Sequence, residues 1–177
     1  MMSISTTYFL KGRGTIVMMI GIVLLLFCQF KVNGQTKPPR PIAVSFNPGE
    51  GLRFGAFFQS TSGGTVIIST SGLRTFTGSV VGAGLGIAYG PADFEIDADP
   101  GTLINLLNGP DATLYGSSGG TMTLHLGTTF PSAPFITTVS PPAQTSVKIG
   151  GTLTVGSPVA NPSGTYSGSF VVTFIQE

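Results

Sequence analysis

Apolar and polar side chains alternate with a period of two through most of the chain after residue 41. This period puts one row of side chains on one face of an extended strand, so it predicts half-buried β-strands. The rows are Ile42, Val44 and Phe46; Leu52, Phe54 and Ala56; residues 65–68; Leu85, Ile87 and Tyr89; Phe94, Ile96 and Ala98; Met122, Leu124 and Leu126; alternate residues of 147–155; and alternate residues of 166–174. No stretch after residue 34 has the i, i+3, i+4, i+7 spacing of a helix. The pattern predicts an all-β fold.

Turn-forming residues separate these rows. Glycine, proline, serine and asparagine cluster at Ser62-Gly63-Gly64, Gly90-Pro91, Pro100-Gly101, Gly109-Pro110, Gly119-Gly120, Pro141-Pro142 and Asn161-Pro162. Short strands divided in this way are typical of an antiparallel β-sandwich. We expect one domain of about eight to ten strands over residues 42–177.

The first 34 residues have the pattern of a cleavable export signal. A polar start carries Lys11 and Arg13, and residues 15–27 form an uncharged apolar run. Small residues then precede a predicted cleavage between Gly34 and Gln35. The apolar run is shorter than the about 20 residues of a transmembrane helix. We therefore predict a signal-peptide helix over residues 1–34, with a retained membrane anchor as the alternative.

Cys28 raises the question of a lipid anchor, because lipoprotein signals end at an acylated cysteine. Those signals place a small residue before the cysteine, and here the bulky Phe27 precedes it. Lipidation at Cys28 is therefore disfavoured.

Cleavage at Gly34 would change the chemistry of the chain. The only cysteine would be lost, so the mature protein would contain no disulfide. Five Lys and Arg would remain against seven Asp and Glu, a net charge of −2. This balance disfavours a nucleic-acid partner, which needs a basic surface.

Residues 35–41 contain three prolines and predict an extended tail. We expect a secreted protein of the periplasm, the cell surface or the extracellular space.

Ordered motifs across the mature chain resemble a known family. They are Gly51-Leu52-Arg53-Phe54-Gly55-Ala56-Phe57; Gly63-Gly64-Thr65-Val66-Ile67-Ile68; Gly72 with Arg74 and Gly78; Ala92 with Phe94 and Ile96; Met122-Thr123-Leu124; Gly150-Gly151-Thr152-Leu153-Thr154-Val155; and Gly164, Tyr166, Gly168, Phe170 and Val172-Thr173. The set resembles the bacterial domain-of-unknown-function family 4402 over roughly residues 45–175.

That family looks distantly similar to the spore coat protein U and fimbrial-subunit domains of Gram-negative bacteria. The resemblance implies an Ig-like β-sandwich without enzymatic activity. Spore-coat-U-type domains often carry cysteines, which the predicted mature chain lacks, so the link to pilus assembly is an analogy.

The sequence contains one motif known from enzymes, but its context does not predict catalysis. Residues 116–120 read Gly-Ser-Ser-Gly-Gly and match G-x-S-x-G, in which Ser118 would sit on a sharp turn before a helix. Here a strand pattern follows, so the motif predicts a hairpin turn. The single histidine, His125, falls on the polar row of that strand, and we expect it to be exposed rather than to form a triad.

Four carboxylates alternate along one predicted strand. Asp93, Glu95, Asp97 and Asp99 share a face opposite Phe94 and Ile96. The main interpretation is a solvated polar face that pairs with Arg74 or Lys148 of a neighbouring strand. The alternative is a Ca²⁺ site at Asp97 and Asp99, if the segment before Gly101 curls into a loop.

The first apolar row permits two interpretations. Ile42, Val44 and Phe46 could complete the sheet of another subunit as a donor strand, the β-strand addition used in fimbriae. The simpler interpretation, which we favour, is that this row is the first strand of the chain's own sandwich.

Phe57 and Phe58 are adjacent and cannot both face inward on a regular strand, so one lies in an exposed patch or at a bulge.

The sequence predicts an exported, non-enzymatic structural or surface protein, a fimbria-like or coat-like subunit with itself or related subunits as partners. The alternative function is a periplasmic or surface module that binds a glycan or Ca²⁺. The chain has no Trp for stacking on sugars, which disfavours the glycan. No cofactor is expected.

Overall fold

The structure is a computed structural model, and it describes residues 38, 40–46 and 48–177. These residues form thirteen strands and a 3-10 turn, Pro48–Glu50, with no α-helix among them. The strands are β1 Ala43–Phe46, β2 Arg53–Phe54, β3 Phe57–Ile68, β4 Arg74–Gly82, β5 Tyr89–Gly90, β6 Ala92–Asp97, β7 Leu103–Asn108, β8 Ala112–Gly116, β9 Thr121–Phe130, β10 Phe135–Ile136, β11 Thr145–Val155, β12 Tyr166–Ser167 and β13 Val172–Gln176. The predicted antiparallel all-β fold is confirmed. The number of strands exceeds the expected eight to ten. Four of the thirteen, β2, β5, β10 and β12, have only two residues each, and the other nine are longer.

Eight of these strands form one antiparallel sheet. Its main path runs β1, β6, β11, β9, β8, β12, and β3 joins β11 and carries β4 on its other side. Strands β10, β7 and β13 form a second sheet, and β2 and β5 pair as a short ribbon. The domain that contains all of them spans Pro39–Glu177.

Strand β11 lies at the centre of the large sheet. Its first half, Thr145 to Ile149, pairs with β6, and its second half, Gly151 to Val155, pairs with β3. Strand β9 pairs along the opposite edge, with a register shift between Ile149 and Gly151. This central position explains the long apolar alternation of residues 147–155, since both edges and the inner face are covered.

A single core connects the two sheets. Its most deeply buried side chains include Val66, Ile96, Ile104 and Ile149, which come from β3, β6, β7 and β11. The ring of Phe94 on β6 lies 5.4 Å from that of Phe174 on β13, so the β7 sheet packs against the β6 side of the large sheet. Burial of these aliphatic and aromatic side chains is the main stabilising contribution in a sandwich of this kind.

One predicted strand is a loop. Leu85 and Ile87 were expected to alternate with Tyr89 on a strand, but only Tyr89–Gly90 is extended, and Leu85 and Ile87 are 66% and 58% exposed. Gly84 and Gly86 have φ angles of +64° and +69°. Two left-handed glycines within three residues interrupt the extended backbone, so the apolar spacing there does not reflect a sheet face.

Candidate functional site

The predicted export features lie outside the described residues. The predicted signal helix, Cys28, and the predicted cleavage site at Gly34 and Gln35 all belong to that part of the chain. In residues 40–46 and 48–177 the chain has no apolar helix of the length that a membrane span requires.

The four alternating carboxylates lie on or next to β6. Asp93 accepts a hydrogen bond of 2.6 Å from Ser146 Oγ, and its other oxygen is 4.0 Å from Lys148 Nζ. Asp97 is hydrogen-bonded to Arg40, and Asp99 Oδ1 lies 3.8 Å from Arg40 Nε. The row is therefore neutralised at both ends by cations. Lys148 was an expected partner, whereas Arg40 was not.

Arg40 occupies the predicted Ca²⁺ position. Ca²⁺ requires about six to eight oxygen ligands, and here the two candidate carboxylates face a guanidinium. The described residues contain no group of three or more His, Cys, Asp or Glu side chains arranged to hold a metal ion. Ca²⁺ at Asp97 and Asp99 remains a hypothesis that requires Arg40 to be displaced.

The proposed donor segment pairs with its own chain. Strand β1 is the edge strand of the large sheet and pairs antiparallel with β6, with Val44 opposite Ile96 and Phe46 opposite Phe94. The rings of Phe46 and Phe94 are 5.0 Å apart. Because only one strand covers β1, Val44 and Phe46 are still 42% and 43% exposed.

Polar contacts hold the segment that leads into β1. Upstream, Gln176 at the end of β13 bridges two backbone groups: its Oε1 accepts from Ile42 N at 3.1 Å and its Nε2 donates to Arg40 O at 2.9 Å. Arg40 adds the ion pairs to Asp97 and Asp99. Four register pairs with β6, the Phe46–Phe94 ring contact and hydrogen bonds at Ser45 also attach this segment to the domain, and Ile42 packs partly buried against the core.

The G-x-S-x-G motif forms the turn between β8 and β9. Gly116 N donates to Gly120 O at 3.1 Å, and Ser117 N donates to Thr165 O at 2.9 Å. His125 lies on β9 with an exposed side chain, and its Nδ1 is 2.7 Å from Asp111 Oδ1. No hydrogen bond joins His125 to Ser118 in the described part of the chain. The hairpin and the exposed histidine therefore have the positions that the strand pattern predicts.

Arg74 from the glycine-rich motifs connects three backbone segments. Its guanidinium lies 4.0 Å from the centre of the Tyr89 ring and 5.0 Å from that of Phe76. Its Nη1 donates to Phe54 O at 3.0 Å and to Ala56 O at 3.3 Å. Arg74 thus fixes β2 and β5 against β4 and does not pair with the acidic row.

An apolar groove opens beside this structure. One wall is formed by residues 52–59, the other by residues 162–166, and the floor by Leu114, Met122 and Leu153. We call it the apolar groove. Its volume is about 610 Å³. Leu114, Met122 and Leu153 are 9% or less exposed, so the groove reaches the core of the sandwich.

Sequence analysis did not identify the apolar groove or the role of Arg40. The groove combines segments that are about a hundred residues apart, and its residues carry no motif beyond ordinary strand alternation. Arg40 had one usable signal: it is a cation that immediately precedes the first strand. Its partner depends on β1 pairing with β6, which the sequence does not reveal.

The fold and these sites define an all-β sandwich protein with a half-exposed edge strand and an open groove. A family model described as a domain of unknown function, DUF4402, matches residues 44–175. The chain belongs to this family. No curated protein and no solved structure matches the chain.

Proposed function

We propose that this protein is an exported, non-enzymatic structural component of the cell surface that assembles by β-strand addition. In this assembly, residues 42–46 leave the edge of their own sheet and pair with β6 of another copy. The observation that carries the proposal is the position of β1 at the edge of the sheet, with one neighbouring strand and half-exposed apolar side chains.

The energetics support exchange of this strand. In the exchanged state, β1 makes the same contacts with β6 of the second copy, so the enthalpy of pairing is conserved. The partial exposure of Val44 and Phe46 lowers the cost of opening, whereas the packing of Ile42 against the core raises it. The Arg40 ion pairs are half-buried and partly open to solvent, and pairs of this kind add about 1 kcal/mol each.

A disulfide across β1 and β6 tests the exchange. Ser45 and Glu95 are Cα partners on the outer face, and Cα atoms of antiparallel partners are about 4.5–5.5 Å apart, within disulfide range. In a Cys28→Ser background, we replace Ser45 and Glu95 by cysteine. The purified protein is concentrated, oxidised and separated on a non-reducing denaturing gel. Strand exchange predicts covalent multimers that increase with protein concentration and disappear on reduction.

The single variants Ser45→Cys and Glu95→Cys are the matched controls, because a chain with one thiol can form dimers but no ladder. Size-exclusion chromatography of the unmodified protein should show the same concentration dependence. If oxidation yields only monomers with an internal disulfide at every concentration, β1 pairs within its own chain and the proposal is wrong.

The alternative is a surface binding module, and the apolar groove is the observation that favours it. A strictly monomeric protein in the two experiments above would support this alternative. A glycan or Ca²⁺ was expected as the ligand. Arg40 at the Asp97 and Asp99 carboxylates weighs against Ca²⁺, and the apolar floor of the groove weighs against a sugar.

A further inference from the structure

The apolar groove has the size and lining of a ligand site. Small-molecule sites are typically about 300–1,000 Å³, mostly apolar and equipped with few polar groups. The volume here is about 610 Å³, and the floor consists of the side chains of Leu114, Met122 and Leu153. Because these three side chains are 2–9% exposed, most of the apolar surface comes from the walls, at Leu52, Phe58 and Ile87. This lining favours a ligand whose body is a hydrocarbon.

Most neutral polar side chains in the walls are already hydrogen-bonded within the protein. Tyr166 Oη donates to Pro162 O at 2.8 Å, and Asn161 Nδ2 donates to Thr121 O at 2.6 Å. Gln59 Nε2 is hydrogen-bonded to Asn161 O. These groups are therefore not free to bind the many hydroxyls of a sugar, although Ser163 and Thr165 offer hydroxyls at the mouth.

Arg53 is the single charged residue in the described lining of the groove. Its side chain is exposed, and it makes no ion pair or hydrogen bond with another described residue, unlike Arg40 and Arg74. A cation among the lining residues with no acid beside it attracts one negative charge. A guanidinium matches the geometry of a carboxylate in particular.

We propose that the apolar groove binds a long-chain carboxylic acid, with the hydrocarbon chain over Leu114, Met122 and Leu153 and the carboxylate at Arg53. This site is separate from the β6 edge used in strand addition, and it does not depend on that function.

Isothermal titration of the purified protein with dodecanoate below its micelle concentration tests the site. Decanoate should bind about tenfold more weakly if the last two methylenes are buried, since each contributes about 0.8 kcal/mol. Dodecanol, which has the same chain and no charge, should bind about tenfold more weakly than dodecanoate because it lacks the ion pair.

Variants of the protein distinguish binding of the ligand's hydrocarbon chain from binding of its carboxylate. Arg53→Gln should weaken dodecanoate binding about tenfold and leave dodecanol binding unchanged. Lys148→Gln removes the same charge far from the groove and should leave both unchanged. Ala88→Trp places a large side chain at an exposed position in the groove lining and should abolish binding of both ligands. Circular dichroism melts confirm that each variant is folded.

Three results would overturn the proposal. They are equal affinities for dodecanoate and dodecanol, equal losses in Arg53→Gln and Lys148→Gln, and unchanged binding in folded Ala88→Trp. Absence of dodecanoate binding by the unmodified protein would also overturn it. None of these results depends on whether the protein forms multimers, so the strand-addition proposal is tested separately.

Discussion

Arg74 connects parts of the chain that share no long strand pairing. Strands β2 and β5 pair only with each other, through two residues each, and a ribbon of that length is not stable alone. The guanidinium between the rings of Tyr89 and Phe76, with its donors on Phe54 O and Ala56 O, holds this ribbon against β4. The role of this motif residue is therefore structural.

Replacing Arg74 by lysine should destabilise the domain by about 2 kcal/mol. An ammonium cannot stack as a planar cation and also reach both carbonyls, so a charge-assisted hydrogen bond and part of the cation–π contact are lost. The measurement is the free energy of unfolding in urea. The matched control is Arg53→Lys, at the exposed arginine in β2, which should change it by less than about 0.5 kcal/mol. If the free energy of unfolding falls equally in Arg74→Lys and Arg53→Lys, the geometry of the Arg74 guanidinium does not contribute to stability.

At the scale of elements, the irregular pairing of β3 with β4 protects a free edge. Strand β4 pairs only with β3, and the register shifts between Gln59 and Gly64. Opposite the shift, Gly78 has φ +65°, and Ser79 Oγ donates to Gly63 O at 2.9 Å. The extra residues of this bulge, 60–63, lie in β3 and face Ser79 of β4. A bulge increases the local twist of the pair, which discourages uncontrolled pairing of other chains at the β4 edge.

A methyl group at Gly78 should disrupt this bulge. The Cβ of Gly78→Ala would lie 2.5 Å from Gly63 O, in a backbone conformation that already disfavours alanine. We expect a loss of about 2–4 kcal/mol. Gly84→Ala is the control, because φ is +64° there and no atom lies within 4 Å of the added Cβ. That variant should lose only about 1 kcal/mol.

Thermal and urea unfolding of the two variants measure the difference. Equal losses would mean that backbone conformation alone decides the cost and that the close approach to β3 contributes nothing.

Most strands that the sequence predicted have one buried face. Alternation predicted β6, β9 and β11, because period two is kept wherever one face of the strand meets the core, and it also predicted β1, whose four residues are all exposed. It did not identify β4, β7 or β8. In β7, Ile104 and Leu106 are buried, but Leu103 and Leu107 are also apolar and hide the alternation.

The sites were predicted less well than the strands. The positions of His125 and of the hairpin at Ser118 followed from local spacing alone. The pairing of Arg40 with Asp97 and the formation of the apolar groove both depend on which strands become neighbours. That strand order cannot be predicted from a single sequence. Phe57 and Phe58 are intermediate: the alternation required one to face outward, and the structure shows that it is Phe58, which is 59% exposed.

At the scale of the whole molecule, the sheet forms around a strand that is late in the chain. Strand β11 meets β6 and β3, which precede it by about 50 and 85 residues. Because such distant pairings are slow to form, refolding should take milliseconds to seconds rather than microseconds.

Substitutions in the centre and at the edge should affect folding differently. Val147→Ala, at a fully buried site in β11, should mainly slow refolding, whereas Val172→Ala in β13 should mainly speed unfolding. Stopped-flow tyrosine fluorescence over a range of urea concentrations measures both rates. If Val147→Ala changes only the unfolding rate, β11 joins the sheet after the transition state.

The lateness of β11 also affects how the chain behaves while it is being synthesised. A chain that emerges N-terminus first from a ribosome exposes β3, β6 and β9 before their common partner has appeared. During that interval β3 can pair with β4 and β9 with β8, but their edges toward β11 have no partner. Those edges invite self-association until β11 arrives.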